Sequence, residues 1–310
     1  MQNNSNSQKT ILNEAFISFS GMTAGSVFRY LFSIIMARFL GAQMLGIYSL
    51  SNAILRVAEI FALSGLDNGV LRYVSRDVKD KNSVENAIFS SIKTGLITSL
   101  IISIILFFNA EWIVNNFFNQ EDFLATAIKV FSISLPFSVM TLIASHATQA
   151  FKILKYKIFV NQLVNPFTLL IGFIFSFLIF GSKISILIPT FLSSVIGFLF
   201  IMRFLRNFIV YDFKKIMYSK IDNDILRFSI PLMFVSAIGI LMHWIDILML
   251  GYLSDTTNVG MYHPIDRTAG LVRMILFAFA GIFAPIFSEK YFNNDLNGMS
   301  NALKSSTKSI

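Results

Sequence analysis

Long apolar segments separated by short polar loops make up most of this chain. A helix needs roughly 20 apolar residues to cross the hydrocarbon core of a bilayer, and eight segments reach that length. They predict transmembrane helices near 15–38, 46–68, 86–108, 123–150, 158–180, 184–205, 226–250 and 260–286. The pattern therefore predicts an all-α, polytopic membrane protein with about eight transmembrane helices.

The loops after the first and seventh predicted helices are similar in sequence. LGAQMLGIY (40–48) is similar to LGYLSDTTNVGMY (250–262), with four residues inserted, and NAIFSSIK (86–93) is similar to NALKSSTK (301–308). The repeat spans six helices, so both copies enter the membrane in the same direction. This predicts parallel repeats related by a pseudo-twofold axis along the membrane normal.

The repeat divides the chain into four parts. We predict an N-terminal tail (1–14), a complete six-helix lobe (15–206), an inter-lobe loop (207–225) and an incomplete second lobe (226–310). The second lobe then holds helices 7 and 8 and the start of the loop to a ninth. On this division we expect about four further helices beyond the sequence, so that the chain is a C-terminally truncated form.

Composition and loop charge agree with a membrane location. The chain is 55% hydrophobic and 14% charged, with a mean hydropathy of +0.67, which excludes an ordinary soluble domain. The net charge of +8 is concentrated in alternate loops, as expected for loops kept in the cytoplasm rather than for nucleic-acid binding. We predict a multi-pass protein of the cytoplasmic (plasma) membrane with a cytoplasmic N-terminus.

The sequence gives little support for enzymatic chemistry. The chain has no cysteine, which excludes disulfides, thiolate metal sites and a cysteine nucleophile. P-loop, HExxH and GxSxG motifs do not occur, so we predict no enzymatic activity, no metal and no cofactor. Asp222-Asn223-Asp224 resembles a metal-binding DxD, but its place before a helix favours an N-cap.

Three segments carry a resemblance to a known family. They are LGAQMLGIYSL (40–50), SGLDNGVLRYVSRD (64–77) and SISLPFSVMTLIASHATQAFKILKYKIFVNQLVNP (132–166). They resemble the polysaccharide biosynthesis (Wzx-type) flippases of the multidrug/oligosaccharidyl-lipid/polysaccharide exporter superfamily. The resemblance implies two lobes that move polyprenyl-pyrophosphate-linked oligosaccharides between leaflets by alternating access. It implies this lipid-linked substrate, membrane lipids and other polysaccharide-assembly proteins as partners.

Charged residues inside the predicted helices are the candidate site. A charge at the bilayer centre is costly, so each must face protein or water. Arginine binds phosphate bidentately and stays charged when desolvated. The resemblance also implies that arginines on the first, second and eighth helices line the cavity. The predicted pyrophosphate ligands are Arg29, Arg56, Arg267 and Arg273, and the candidates for coupling to a proton or cation are Glu59, His243, Asp246 and Asp266.

Each candidate also has a purely structural interpretation. Arg56 and Glu59 are three residues apart and could form an intrahelical ion pair. Arg273 could pair with Asp266 or Asp246, and His243 could bond Asp246 within one helix. His146 and Gln149 are interpreted as interfacial residues, and Lys129 as a side chain that reaches outward to the interface.

Two other functions remain open from sequence alone. A cation-coupled multidrug exporter on the same fold would need acidic residues to dominate its cavity. A membrane enzyme of polysaccharide assembly would need a sizeable outer loop, whereas the longest predicted one, at 109–122, has about 14 residues.

Overall fold

The computed structural model describes residues 2–118, 122–151, 153–181, 183–209, 213–270, 295, 298 and 300. Side chains are considered from Ile17 onward. Regular structure in these ranges is helical, without strands. The helices are α1 (Gln2–Leu63), α2 (Leu66–Arg76), α3 (Lys81–Phe117), α4 (Asp122–Ala150), α5 (Leu154–Ile158), α6 (Asn165–Phe180), α7 (Leu187–Leu205), α8 (Phe213–Tyr218), α9 (Asn223–Leu253) and α10, described over 256–270.

Six helical stretches are long and apolar enough to cross a membrane. A π-helical segment, Phe159–Val164, joins α5 to α6, and a 3-10 turn, Lys183–Ile186, leads into α7. The six candidate spans within the described residues are Ile17–Leu63, Lys81–Phe117, Asp122–Ala150, Leu154–Phe180, Lys183–Leu205 and Asn223–Leu253. The chain is therefore an all-α, multi-pass membrane protein, as predicted.

The first candidate span folds back on itself at Gly41. Its backbone there (φ 83°, ψ 173°) is non-helical and of a kind essentially limited to glycine. The rings of Phe32 and Tyr48 lie 5.0 Å apart, although sixteen residues of straight helix would separate them by about 24 Å. We call 17–40 the first leg and 42–63 the second leg of this hairpin. The legs account for the first two predicted helices, and the loop predicted around 40–48 is reduced to a bend at Gly41, since 42–48 is helical.

The second leg ends earlier than predicted. Ser64 (φ 51°) and Gly65 (φ 72°) interrupt the helix, and α2 then begins at Leu66. A Cβ on Gly65 would lie 2.1 Å from the carbonyl oxygen of Ser229 in α9. The break thus ends the predicted helix at Leu63 instead of residue 68 and lets the backbones of α2 and α9 approach closely.

The core is centred on α4, which packs against α1, α2, α3 and α7. Its large buried side chains include Phe131, Leu135 and Ile143. Burial on nearly all sides explains why α4 follows the predicted bounds of 123–150 closely. By contrast, α9 packs on α1 and α2 along one face and leaves most of its surface exposed.

Three contacts show which loops share an end of the bundle. In the first half of α3, the Lys93 ammonium donates to the carbonyl of Ser219 at 2.8 Å, and nearer its start Nζ of Lys215 lies 3.9 Å from Oε2 of Glu85. At the other end of α3, the rings of Phe117 and Tyr252 lie 6.3 Å apart. The 77–81 and 219–222 loops therefore lie at one end, and the loops following Phe117 and Leu253 lie at the other.

The chain divides into two compact units, Met1–His263 and Pro264–Ile310. The first holds the hairpin, α2 to α9 and the start of α10. In the second, the structure describes 264–270 and three isolated residues. The remainder of the predicted helix 260–286 lies outside the described residues, and the predicted lobe boundaries stay a prediction.

Candidate functional site

Two arginines lie at similar depths in the hairpin. Arg29 comes twelve residues before Gly41 and Arg56 fifteen residues after it. At 1.5 Å per residue, they lie about 18 and 22 Å from the bend along their legs. A hydrocarbon core is about 30 Å thick, so a bend at one face of the membrane places both arginines within it.

Arg29 is anchored inside the helical bundle. Its Nη2 donates to Oε1 of Gln162 at 2.7 Å, and the residue is half-buried. Gln162 belongs to the π-helical segment 159–164, whose extra residue distorts the helix where it faces the first leg. Gly25, one turn before Arg29, permits this contact, because a Cβ there would lie 2.2 Å from the Gln162 carbonyl oxygen.

Arg56 and Glu59 form the predicted intrahelical ion pair. Nη1 of Arg56 lies 2.6 Å from Oε2 of Glu59, and the two side chains differ greatly in exposure, at 44% and 6%. The second carboxylate oxygen of Glu59, Oε1, is buried and has no hydrogen-bond partner among the described residues. The second leg thus presents the cation outward and buries the anion.

His243 and Asp246 lie on the exposed side of α9, opposite the buried Trp244 and Ile247. The Tyr262 hydroxyl donates to Oδ2 of Asp246 at 3.2 Å. The His243 ring meets that of Trp244 edge to face at 5.2 Å. Asp246 is thereby linked to Tyr262, and the coupling role of both residues stays a prediction.

The remaining candidates belong to the second unit. Asp266 and Arg267 are half-buried in the described part of α10. Arg273 lies outside the described residues, so its predicted equivalence to the second leg stays a prediction.

The sequence interpretation missed a polar cluster at the ends of α2, α4 and α5. Nζ of Lys157 lies 2.9 Å from Nε2 of His146 and donates to Oε1 of Gln149 at 2.8 Å. Oδ2 of Asp67 lies 3.9 Å from the same histidine nitrogen, and Nδ1 of His146 lies 2.9 Å from the Leu142 carbonyl oxygen. His146 and Gln149 therefore belong to a polar cluster, and their interfacial position stays a prediction. Their three-residue spacing was the available signal, whereas Asp67 is distant from them in sequence.

Two local interpretations are confirmed. Asp222 caps α9, its Oδ1 accepting from the backbone N–H of Asp224 at 2.9 Å and of Ile225 at 3.3 Å. Lys129 lies 2.5 Å from Oε1 of Glu111, a strongly exposed side chain. The described residues contain no group of His, Asp and Glu able to hold a metal ion.

The helical hairpin, the apolar spans and the charged residues within them define the class of protein, a polytopic membrane protein with charged groups inside its spans. Residues 11–290 match the family model described as "Polysaccharide biosynthesis protein". The chain belongs to the polysaccharide biosynthesis protein family.

Solved structures show the same fold. One is the MATE multidrug transporter DinF-BH, solved as a complex, at 13% identity and a TM-score of 0.64, covering 97% of this chain and 69% of that one. Another is an inward-facing multidrug resistance MATE family transporter of the MOP superfamily, at 18% identity and a TM-score of 0.68, covering 95% and 70%. No curated protein matches the chain. These likenesses concern the fold, which is that of the MATE transporters.

Proposed function

We propose that the protein translocates polyprenyl-pyrophosphate-linked oligosaccharides across the cytoplasmic membrane by alternating access of two lobes. Family membership over 11–290 supports a role in polysaccharide biosynthesis, and the MATE-like fold supports a transporter. The substrate's pyrophosphate is its charged part, so crossing the hydrocarbon core requires a cationic partner at mid-depth.

The exposure of the Arg56–Glu59 pair is the observation that carries the proposal. The guanidinium is accessible and fixed by a 2.6 Å contact, whereas the carboxylate that fixes it is almost fully buried. A fixed, accessible arginine suits a phosphate group, which it binds through parallel hydrogen bonds. Arg29, at a similar depth on the first leg, is the second proposed ligand, held by Gln162. Arg267 and Arg273 complete the set proposed from sequence.

A multidrug exporter on the same fold is the second candidate, because both solved structures described above are multidrug transporters by their descriptions. An exporter of organic cations needs an accessible acid facing the substrate. The exposed Asp246 is the described residue that favours this alternative, and Tyr262 already bonds it.

The test is transport of the glycan in cells that lack their own flippase and produce this protein instead. Arg56→Ala should abolish export while leaving membrane insertion intact, and Arg56→Lys should rescue only part of it, because lysine lacks the planar fork. Lys129→Ala is the matched control, since it also removes an ion-paired cation but lies on α4 beside Glu111. Normal export by Arg56→Ala would overturn the proposed role.

A further inference from the structure

An open groove runs between α2 and the first turns of α9. It encloses about 520 Å³ and has seven lining residues: Asn68, Leu71, Arg72, Ser75, Arg76, Phe228 and Leu232. Its polar side chains all come from α2, and α9 supplies an apolar wall. A groove with donors on one side and hydrocarbon on the other suits an amphiphilic ligand.

Arg72 is the fixed cation of this groove. Its Cζ lies 4.1 Å from the centroid of the Phe228 ring, so the guanidinium stacks on α9 while its edge remains available for hydrogen bonds. Within the described part of the chain, the structure records no carboxylate bound to Arg72. An exposed arginine held by a ring and lacking an anion is suited to receive one from a ligand.

The neighbouring Arg76 is occupied. Its Nε and Nη2 donate to the two carboxylate oxygens of Asp77 at 3.0 and 2.8 Å. Hydrogen bonds from Arg76 and from Ser83 hold the pKa of Asp77 below its usual range, so this carboxylate stays ionised and keeps its arginine. Because Arg76 is paired with Asp77, Arg72 is the arginine of the groove that can bind a ligand.

The α9 wall of the groove continues as an exposed apolar face. Phe228, Leu232, Val235 and Met242 follow at spacings of four, three and seven residues, which places them on one side of the helix. Val235 and Met242 are 66% and 74% exposed. A hydrocarbon chain attached to a phosphate in the groove would lie along this face, which favours a lipid over a soluble phosphate.

We propose that the groove between α2 and α9 binds the phosphate headgroup of a lipid, with Arg72 as its cationic ligand and the α9 face as the path of its chain. Resting on the proposed function, the occupant is a polyprenyl pyrophosphate. The groove is then a docking site separate from Arg56, which is not among its lining residues. Substrate would meet Arg72 before it reaches the mid-membrane cation.

The test measures binding of radiolabelled undecaprenyl pyrophosphate to the purified full chain in detergent, both in the native sequence and with Arg56→Ala. Arg72→Gln should weaken binding about tenfold or more in both backgrounds, as expected for loss of a charge-assisted hydrogen bond. Arg72→Lys should give an intermediate loss, because it retains charge without the stacked plane. Arg227→Gln removes an exposed arginine next to Phe228 that does not line the groove, and should bind normally.

Two competitors identify the ligand chemistry. Inorganic pyrophosphate should compete far more weakly than the lipid, and equal competition would overturn a lipid site in favour of a soluble phosphate. Undecaprenol should also compete weakly, and equal competition would overturn the role of phosphate. Equal losses of binding in Arg72→Gln and Arg227→Gln would likewise overturn the proposal. So would a loss of binding by Arg72→Gln that occurs only when Arg56 is intact. Failure of the proposed function appears separately, as normal glycan export by Arg56→Ala.

Discussion

Gly46 and Gly260 occupy equivalent places in the sequence repeat, and in the structure they pack against each other. A Cβ on Gly46 would lie 1.6 Å from the Thr256 carbonyl oxygen and 2.9 Å from the Gly260 nitrogen. A Cβ on Gly260 would lie 1.8 Å from the Ala42 carbonyl oxygen and 2.9 Å from the Gly46 nitrogen. The contact is reciprocal, as expected where a pseudo-twofold axis passes between two equivalent helices.

Adding a methyl group at this contact should destabilise the protein. Gly46→Ala and Gly260→Ala each place a Cβ against backbone, which cannot rotate away, so each should cost about 1–3 kcal/mol as overpacking. The readout is the midpoint of thermal unfolding in detergent. Gly239→Ala is the control, because a Cβ there meets nothing within 4 Å. Midpoints of all three variants within error of the parent would contradict the reciprocal contact.

The turn at Gly41 should be intolerant of any L-residue. Its φ of 83° with ψ of 173° lies outside the regions that a Cβ allows. Gly41→Ala should therefore lower the unfolding midpoint by the equivalent of about 1–3 kcal/mol or prevent the hairpin from forming. Steric contact is not the reason, since no atom lies within 4 Å of a Cβ at this position. Gly181→Asn tests specificity, because its left-handed φ of 53° is accessible to asparagine. A larger loss at Gly181 than at Gly41 would contradict this view.

The Arg29–Gln162 hydrogen bond should appear as an energetic coupling. Arg29→Ala and Gln162→Ala each leave a half-buried partner without its bond, so the double variant should be less destabilised than the sum of the two. A coupling of about 1–2 kcal/mol is expected for a bond to a charged group. The measurement is a double-mutant cycle on unfolding in detergent. Strict additivity would mean that the two side chains do not interact.

Loop charge and structure together predict how single introduced cysteines are labelled. The chain has no native cysteine that would have to be replaced first. Cysteines replacing Asn116 and Ser254 should react with an impermeant thiol reagent in intact cells. Cysteines replacing Ser83 and Ser219 should react only after the membrane is opened. The contacts of α3 already place these positions at opposite ends of the bundle. The reverse pattern would invert the predicted orientation, and mixed labelling within one end would contradict the fold.

The length of the apolar segments predicted the helices because the bilayer imposes a minimum span, and α4 follows its predicted bounds closely. The turn residue was harder to predict, because both Gly41 and Gly46 are compatible with a hinge. Gly46 is helical, and the close approach of α10 explains why a residue without a Cβ is required there. The break at Gly65 was missed for the same reason, since it depends on Ser229, more than 160 residues away.

In the candidate site, as in the fold, the contact between residues close in sequence was predicted and the contact between distant residues was not. The Arg56–Glu59 pair was foreseen because a three-residue helical spacing brings side chains together. The partner of Arg29 was not, because Gln162 is 133 residues away and faces it through a π-helical distortion. The contact of His146 with Lys157 was likewise not predicted, because Lys157 belongs to the next helix, α5.

The two glycine contacts at Gly46 and Gly65 have a consequence for packing. Gly46 meets α10 near the bend, and Gly65, two residues past the end of the second leg, meets α9 nineteen residues later, about 28 Å farther along the leg. A contact between two backbones buries little apolar area. Separating either contact therefore costs little of the hydrophobic free energy, which is roughly 25 cal/mol per Å² of apolar area buried. These two contacts therefore set how closely the neighbouring backbones approach, while buried side chains such as Leu45, Leu50 and Leu55 supply the apolar burial that holds the helix in place.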